Sequence, residues 1–369
     1  MSSGKIKLFE IIGFDYNKFE LSYDKKSAMN YLNFINEKPF KILKGHTQDV
    51  INLNWSSFFF NLLLSASLDN VILWDINYSE EKCRIESFEH TSMVTCISFS
   101  PTERYKFISG CLDKFVRIWD IKDILDTDAS NNSNNNINND NDKDNESQDK
   151  KINKKNLINL NKLKKYNISY FNIEEKITAI SYFPTGDKIA IGTHNGKIII
   201  YVNKSNKYCY NSSFTCKNRI GKNSLGKKIT SIEFFNKNDA VISSCDSRIR
   251  LMSMNDGKLI RKYKGHINEN YMIRSCIDYD YDIIITGSED GFCYVWNIDD
   301  VEKKVLNYEC FKPYSQEIIH CSLIVPEKCY CNFLKKIMKI TDKLLVTSII
   351  INASNKGKLE ILLNIDEKL

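Results

Sequence analysis

The sequence has few of the residues that break a regular chain, with 14 Gly and 5 Pro in 369 residues. Its turns therefore depend on Asn, Asp and Lys. It has no uncharged run of about 18 residues, the length that a membrane-spanning helix requires. Residues 1–13 do not follow a signal-peptide pattern, because Lys5 and Lys7 interrupt the apolar residues. We therefore expect a cytoplasmic protein without a transmembrane segment.

The sequence also lacks the patterns of metal sites and active sites. Its twelve Cys include no Cys-x-x-Cys pair, and the Cys329-Tyr330-Cys331 segment has no second pair at metal-ligand spacing. No phosphate-binding loop and no candidate pair of catalytic acids is present. We expect reduced cysteines in the core, no metal, no cofactor and no enzymatic activity.

Aromatic residues are abundant, with 19 Tyr and 20 Phe, and they favour strands over helices. A repeated unit organises these strands. In its clearest copy a Gly45-His46 pair precedes an apolar segment that ends in Trp74-Asp75, and related units follow His90 and His266. Each unit predicts a small β-sheet that cannot cover both of its faces alone and therefore needs neighbours of its own kind.

Three of these units share four polar residue types at nearly constant spacing. A His, a hydroxyl, an Asp and an indole N–H can satisfy one another in a buried hydrogen-bond network, in which the Asp accepts from the His. The set superficially matches a Ser-His-Asp triad, but it recurs three times without a nucleophile-elbow signal, which favours a structural role. The predicted structural networks are His46, Ser65, Asp69 and Trp74; His90, Ser109, Asp113 and Trp119; and His266, Thr286, Asp290 and Trp296.

The Gly-His to Trp-Asp repeat resembles the WD-repeat β-propeller family over about residues 40–364. Two strings, Gly226-Lys227-Lys228-Ile229-Thr230 and Asp246-Ser247-Arg248-Ile249-Arg250-Leu251, are similar to the rabphilin-like, Rab-GTPase-binding members. This resemblance implies an all-β, seven-bladed propeller. It also implies a non-catalytic interaction scaffold that acts as a Rab-type GTPase effector in vesicle traffic. A generic WD-repeat scaffold of a ubiquitin-ligase or RNA-processing complex is the alternative.

The first blade is expected to be incomplete. Residues 5–10 alternate like the third strand of a blade whose first two strands are missing, so residues 1–39 form a partial blade and a loop. Residues 40–369 form the rest of the propeller and include a disordered Asn-rich insert at 127–161. Alternatively, strand 40–43 closes a six-bladed ring as the outer strand of the last blade.

Positive charge is concentrated in one part of the chain. The net charge is +6, yet residues 201–270 contain 14 Lys and Arg against 5 Asp and Glu. In a propeller blade, the loop that enters the blade and the turn between its second and third strands share one face. We therefore predict a partner-binding surface there, suited to an acidic protein or to acidic vesicle or endosome membranes. A solvated, flexible loop is the other interpretation, and nucleic acid is not expected because interleaved aromatic residues are missing. The predicted residues are Lys217, Arg219, Lys222, Lys227, Lys228 and Arg248.

Overall fold

The architecture was determined from a computed structural model. It describes residues 4–8, 39–68, 70–126, 167–205, 207–217, 226–279, 282–298, 309–311, 317–324, 344–354 and 359–367. The predicted insert at 127–161 lies outside these residues, as do Asp69, Arg219 and Lys222. In the described part of the chain, no helix is long and apolar enough to cross a membrane.

The described residues form antiparallel β-sheets in chain order, together with one short helical segment at 122–126. A two-stranded sheet pairs β1 (Lys5–Leu8) with β2 (Lys41–Lys44). Sheet 1 contains β3 (Val50–Trp55), β4 (Leu62–Ser67), β5 (Asn70–Asp75) and β6 (Arg84–Glu89). Sheet 2 contains β7 (Val94–Phe99), β8 (Lys106–Cys111), β9 (Phe115–Asp120) and β10 (Asn167–Asn172).

Three further four-stranded sheets and one three-stranded sheet complete the order. Sheet 3 contains β11 (Ile177–Tyr182), β12 (Lys188–Thr193), β13 (Lys197–Lys204) and β14 (Lys207–Thr215). Sheet 4 contains β15 (Ile229–Phe234), β16 (Asp239–Ser244), β17 (Arg248–Ser253) and β18 (Leu259–Tyr263). Sheet 5 contains β19 (Ser275–Asp278), β20 (Ile283–Thr286), β21 (Cys293–Asn297) and β22 (Glu309–Phe311). Sheet 6 contains β23 (Ile319–Ile324), β24 (Leu344–Ser354) and β25 (Leu359–Glu367).

Five sheets are therefore complete four-stranded blades, and in each the strands are neighbours in chain order. The predicted strand at residues 5–10 is present as β1, and it pairs with β2. The six-bladed alternative required the strand at 40–43 to pair with the last sheet, and the observed pairing of β2 with β1 differs from it. The seven-bladed count remains a prediction.

The chain divides into two compact units. Unit 1 comprises Met1–Ile6, Ile42–Ile191 and Ile199–Ser212, and unit 2 comprises Lys7–Lys41, Gly192–Ile198 and Ser213–Leu369. In unit 1, one core lies between sheets 1 and 2, and a second includes residues of sheets 2 and 3. In unit 2, apolar residues of sheets 4 and 5 form a third core.

The middle strands are buried on both faces, and β8 shows the reason, because Phe107 joins the core shared with sheet 1 and Ile108 joins the core shared with sheet 3. All six residues of β4, Leu-Leu-Leu-Ser-Ala-Ser, are buried, and so are five of the six residues of β8. A strand that faces water on one side would show alternation of apolar and polar residues instead. The burial of consecutive residues in these strands thus reflects packing on both faces.

Aromatic rings join sheet 1 to sheet 2. The Phe107 ring lies 5.0 Å from Phe88 of sheet 1 in an edge-on arrangement and stacks on Trp119 at 6.0 Å. All three side chains are at most 1 % exposed. Such pairs contribute roughly 0.5–1.5 kcal/mol each beyond the burial of their area.

Phe107→Ala should lower the free energy of unfolding by about 3–5 kcal/mol, because it removes a buried ring from the junction of two sheets. The matched control is Phe60→Ala, since Phe60 is 88 % exposed. Its cost should stay within about 0.5 kcal/mol. Urea denaturation of both variants measures the difference, and similar losses would contradict the proposed junction.

Candidate functional site

The first polar network is a chain of hydrogen bonds inside sheet 1. Trp74 Nε1 donates to Ser65 Oγ at 2.7 Å, and the Ser65 hydroxyl lies 2.6 Å from His46 Nε2. On the other side of the imidazole, Nδ1 lies 2.8 Å from Asn70 Oδ1. Because an amide oxygen can only accept, the proton is on Nδ1, and Nε2 accepts from Ser65. The network therefore fixes the tautomer of His46 through Asn70.

Gly45 lets this network form. A Cβ on Gly45 would lie 2.9 Å from Cη2 of Trp74 and 3.3 Å from Cδ1 of Ile72. The glycine of the Gly-His pair is thus required by the close approach of the backbone to the indole ring that the network holds.

Sheet 2 has the same His-hydroxyl-Trp geometry. Trp119 Nε1 donates to Ser109 Oγ at 2.9 Å, and Ser109 Oγ lies 2.8 Å from His90 Nε2. His90 Nδ1 donates to the Phe88 carbonyl at 2.9 Å. Burial, with the charge of Arg117, lowers the pKa of His90 to about 3, so the imidazole is neutral at pH 7.

The predicted contact between Asp and His is wrong for sheet 2. Asp113 instead accepts from both guanidinium nitrogens of Arg117, at 2.6 and 3.3 Å, and from the Thr91 hydroxyl at 2.6 Å. Arg117 lies four residues after Asp113 and donates two charge-assisted hydrogen bonds. These bonds are stronger than a hydrogen bond from a neutral His. Although burial opposes ionisation, the bonds from Arg117 and Thr91 lower the pKa of Asp113 to about 2.

The third predicted network does not form in sheet 5. Thr286 Oγ1 donates to the Arg274 carbonyl, at 3.4 Å, and the ring nitrogens of His266 have no hydrogen-bond partner among the described residues. The sequence has one more residue between His266 and Thr286 than between the corresponding His and Ser of sheets 1 and 2. In addition, Ser288 Oγ accepts from the Ile267 N–H at 2.9 Å and so holds the loop after His266. His266 packs edge-on against Trp296 at 5.5 Å instead. Burial, with the charge of Arg248, lowers the pKa of His266 to about 4.

Sequence reasoning missed a second recurrent contact, which joins the turn Asp of sheets 2, 4 and 5 to the residue four positions later. Asp290 accepts from the Tyr294 hydroxyl at 2.8 Å, and Asp246 accepts from Arg250 at 2.5 and 3.2 Å. Arg250 also donates to Ser244 Oγ at 2.7 Å and is 2 % exposed. The i, i+4 spacing of Asp with Arg or Tyr across a tight turn is the signal that could have identified this contact.

The predicted basic residues of unit 2 lie in two segments that the backbone brings together. The Cys216 N–H donates to the Gly196 carbonyl at 2.8 Å, and a Cβ on Gly226 would lie 2.6 Å from the Cys216 carbonyl oxygen. Lys217 directly follows Cys216 and Lys227 directly follows Gly226, so the two lysines come after backbone positions that lie in contact. The Cys245 N–H donates to the Lys228 carbonyl at 2.8 Å, which ties this loop to the turn before Arg248.

The same turn is bonded to the next loop of unit 2. The Ser247 N–H donates to the Asn268 carbonyl at 3.1 Å, and the Asn268 N–H donates to Ser247 Oγ at 3.0 Å. Ser247 has a φ of 57°, a left-handed conformation that this reciprocal pair supports. Glu289 also accepts from the N–H groups of residues 269–271, at 2.6 to 3.1 Å. Backbone bonds thus hold the loop next to Arg248.

Two further cations join the predicted set. Lys262 lies opposite Arg250 in the β17–β18 register. Burial, followed by the charges of Arg250, Lys264 and Arg248, lowers the pKa of Lys262. Lys262 lies in β18, and Lys264 directly follows that strand. Sequence reasoning missed both, because only the register of β18 on β17 places them beside the turn that precedes Arg248. We define the basic surface as Lys217, Lys227, Lys228, Arg248, Lys262 and Lys264.

Apolar side chains flank the basic surface. Ile267 is 41 % exposed and Tyr271 is 40 % exposed, and the Tyr271 ring lies 5.2 Å from that of His320. The described residues contain no group of three His, Cys, Asp or Glu side chains that could hold a metal ion. The arrangement offers cations beside the exposed side chains of Ile267 and Tyr271.

Ser65→Ala should lower the free energy of unfolding by about 1–3 kcal/mol, because it leaves His46 and Trp74 buried without their shared partner. Ser67→Ala is the control. Ser67 is equally buried, and its hydroxyl has no hydrogen-bond partner within the described residues. Its cost should be near zero, as measured by urea denaturation; equal costs at the two positions would refute the network's contribution.

Asp113→Asn should cost about 1–2 kcal/mol at pH 7, because the amide lacks the charge that binds Arg117. The folded-state pKa is depressed to about 2 from 3.8, so this stability is present above about pH 4 and is lost as pH falls towards 2. The difference in the free energy of unfolding between wild type and variant should therefore become smaller in acid. Asp126→Asn, at an exposed position, is the control, and a gap that does not change with pH would contradict the assignment.

Comparisons with known proteins agree with this architecture. Residues 82–120 and 257–297 match the family described as WD domain, G-beta repeat. The chain is 33 % identical over 261 residues to WD repeat-containing protein 44 of Xenopus laevis, covering 70 % of this chain and 24 % of that protein. It is 25 % identical over 286 residues to the 2-deoxy-glucose resistant protein 2 of Saccharomyces cerevisiae, covering 70 % of this chain and 28 % of that protein.

A shorter match supports the same family. The chain is 26 % identical over 137 residues to the p21-activated protein kinase-interacting protein 1-like of Danio rerio, covering 37 % of this chain and 34 % of that protein. The chain thus spans about a quarter to a third of the length of these curated relatives. WD-repeat propellers are typically scaffolds for protein partners, without catalysis. The repeated four-stranded sheets and these matches together identify the chain as an all-β protein of the WD-repeat β-propeller class.

Proposed function

We propose that this protein is a non-catalytic scaffold of membrane traffic that binds a Rab-type small GTPase through the basic surface of unit 2. The observation that carries the proposal is the grouping of Lys227, Lys228 and Arg248 by backbone hydrogen bonds. A loop that is held in place presents its cations in a fixed arrangement. Less side-chain and loop ordering is then needed when a partner binds.

The charge of this surface is available to a partner. Arg250, which is 2 % exposed, is neutralised by Asp246 within the fold, at 2.5 Å. Lys217, Lys227 and Lys264 are exposed. Cations at such a surface favour an acidic partner and accelerate its association.

The exposed side chains beside the cations supply the apolar part of an interface. Tyr271 and Ile267 lie on the loop that is bonded to the Arg248 turn, and aromatic residues are enriched in the buried centres of interfaces. The resemblance of the Gly226–Thr230 and Asp246–Leu251 strings to Rab-binding members supports the choice of a GTPase. The positive charge also favours peripheral association with acidic vesicle or endosome membranes.

The combined variant Lys227→Glu, Lys228→Glu and Arg248→Glu should weaken binding by about tenfold or more, mainly through slower association. Purified Rab-type GTPases, loaded with GDP or with a non-hydrolysable GTP analogue, are the probes. Wild type should bind the GTP-analogue form preferentially, and surface plasmon resonance measures the rates.

The matched control changes three exposed lysines of unit 1, as Lys82→Glu, Lys122→Glu and Lys176→Glu, and so gives the same net charge. Its binding should equal that of wild type, and far-ultraviolet circular dichroism should be unchanged in both variants. Equal loss in the two variants would reject the basic surface. Absence of any nucleotide-dependent binding across the panel would reject the GTPase and favour the generic scaffold.

A further inference from the structure

The third strand of sheet 3 departs from the pattern of sheets 1 and 2. Its fifth residue is Tyr201, whereas the fifth residues of β5 and β9 are Trp74 and Trp119. Those two indoles are each 1 % exposed and donate to the serine at the fourth position of the neighbouring strand. In β12 the fourth position holds the buried Ile191, whose side chain accepts no hydrogen bond. The ring of Tyr201 is accordingly only partly buried.

Tyr201 packs in a group of four aromatic rings from β10, β13 and β14. The centre of the Phe171 ring lies 4.4 Å from that of Tyr201 and 6.0 Å from that of Tyr208. The rings of Tyr201 and Tyr210 lie 6.1 Å apart, and their planes meet at 87°, so they form a corner rather than a stack. We define the aromatic corner as Phe171, Tyr201, Tyr208 and Tyr210, all of which belong to unit 1.

The aromatic corner extends from the core to the solvent. Tyr182 is 6 % exposed in the core shared by sheets 2 and 3, and its hydroxyl donates to that of Tyr208. Phe171, Tyr201 and Tyr208 are partly buried against the same core. Tyr210 is 60 % exposed. A ligand that stacks on the outer rings therefore meets a surface whose inner rings are already held by packing, which lowers the cost of ordering.

Glu174 supplies a negative charge beside Tyr201. Burial, followed by the neighbouring phenol of Tyr210 and the carboxylate of Glu174, raises the pKa of Tyr201. The Glu174 side chain is exposed, and among the described residues no cation forms an ion pair with it. A carboxylate in this setting favours a cationic ligand.

Two more carboxylates lie near Tyr208. Burial raises the pKa of Tyr208, and the charges of Glu103 and Asp187 also raise it. Glu103 pairs with Lys106 within the fold, whereas Asp187 is exposed. Acidic groups thus lie beside two of the four rings, and the ligand that complements them carries positive charge and an aromatic-binding face.

We propose that the aromatic corner and Glu174 bind an arginine side chain of another polypeptide. The guanidinium group is planar, stacks on aromatic faces and pairs with carboxylates, so one side chain uses both parts of the site. A lysine ammonium has the charge but not the planar face. The site lies in unit 1 and is independent of the basic surface of unit 2 and of the proposed GTPase.

Peptides that differ in one kind of side chain test this chemistry. The probe is a synthetic peptide in which arginine alternates with serine, and its counterparts carry lysine or citrulline in place of arginine. Citrulline keeps the planar shape and loses the charge. The arginine peptide should bind the full chain about threefold more tightly than the lysine peptide and about tenfold more tightly than the citrulline peptide. Fluorescence anisotropy of labelled peptides measures the dissociation constants.

Substitutions in the exposed part of the site separate ring from charge. Tyr210→Leu should weaken binding of the arginine peptide about two- to fivefold, and Tyr210→Phe should keep the wild-type affinity. The matched control is Tyr170→Leu, since Tyr170 is 67 % exposed on β10 and lies outside the aromatic corner. Glu174→Lys should weaken binding about tenfold, because it replaces an attraction with a repulsion. Glu81→Lys, at another exposed position of unit 1, should have no effect.

Equal binding of the arginine and citrulline peptides, equal effects of the leucine substitutions at Tyr210 and Tyr170, or an unchanged affinity in Glu174→Lys would each overturn the proposal. Residues 150–165 contain seven Lys and no Asp or Glu. Peptide binding that appears only after these lysines are replaced by serine would show that the chain occupies its own site, which would also overturn it.

Discussion

A sheet with apolar side chains on both faces is stable only when a neighbour covers each face, and this constraint governs the structure. The middle strands β4 and β8 are almost entirely buried, and β8 contributes residues to the cores on both sides of sheet 2. Apolar burial at about 25 cal/mol per Å² is the largest favourable contribution. Packing between sheets therefore explains why the repeats tolerate the loss of individual polar residues.

The buried polar groups provide order within each sheet. In sheet 1 every member of the chain from Trp74 through Ser65 and His46 to Asn70 has a partner, so the network satisfies its donors and acceptors in a dry interior. In sheet 5 the same residue types are present, yet Thr286 bonds to a backbone carbonyl instead. Packing of His266 against Trp296 holds that sheet without the network, which agrees with the view that neighbours dominate stability.

The sequence predicted much of the fold but less of the site. The strand Val50–Trp55 and the pairing of His, Ser and Trp in sheets 1 and 2 follow from alternation and spacing. The partner of Asp113 could not be predicted by analogy with a triad, because the competing guanidinium of Arg117 lies four residues away and binds more strongly. Lys262 depends on strand register, which spacing alone does not fix.

The exposure of Leu53 and Trp55 could likewise not be predicted from the sequence, because these residues have the same apolar character as the buried residues at the same positions of sheets 2, 3 and 4. Burial depends on what lies beside a strand, and the strand's own sequence does not contain that information. The same constraint thus accounts for the buried middle strands and for the exposure of Leu53 and Trp55.

Native-state hydrogen exchange tests the dependence on neighbours most directly. Amides of β3 should exchange faster than those of β7 and β15, which have the same place in their sheets but have covered side chains. Equal protection of all three inner strands would contradict the account.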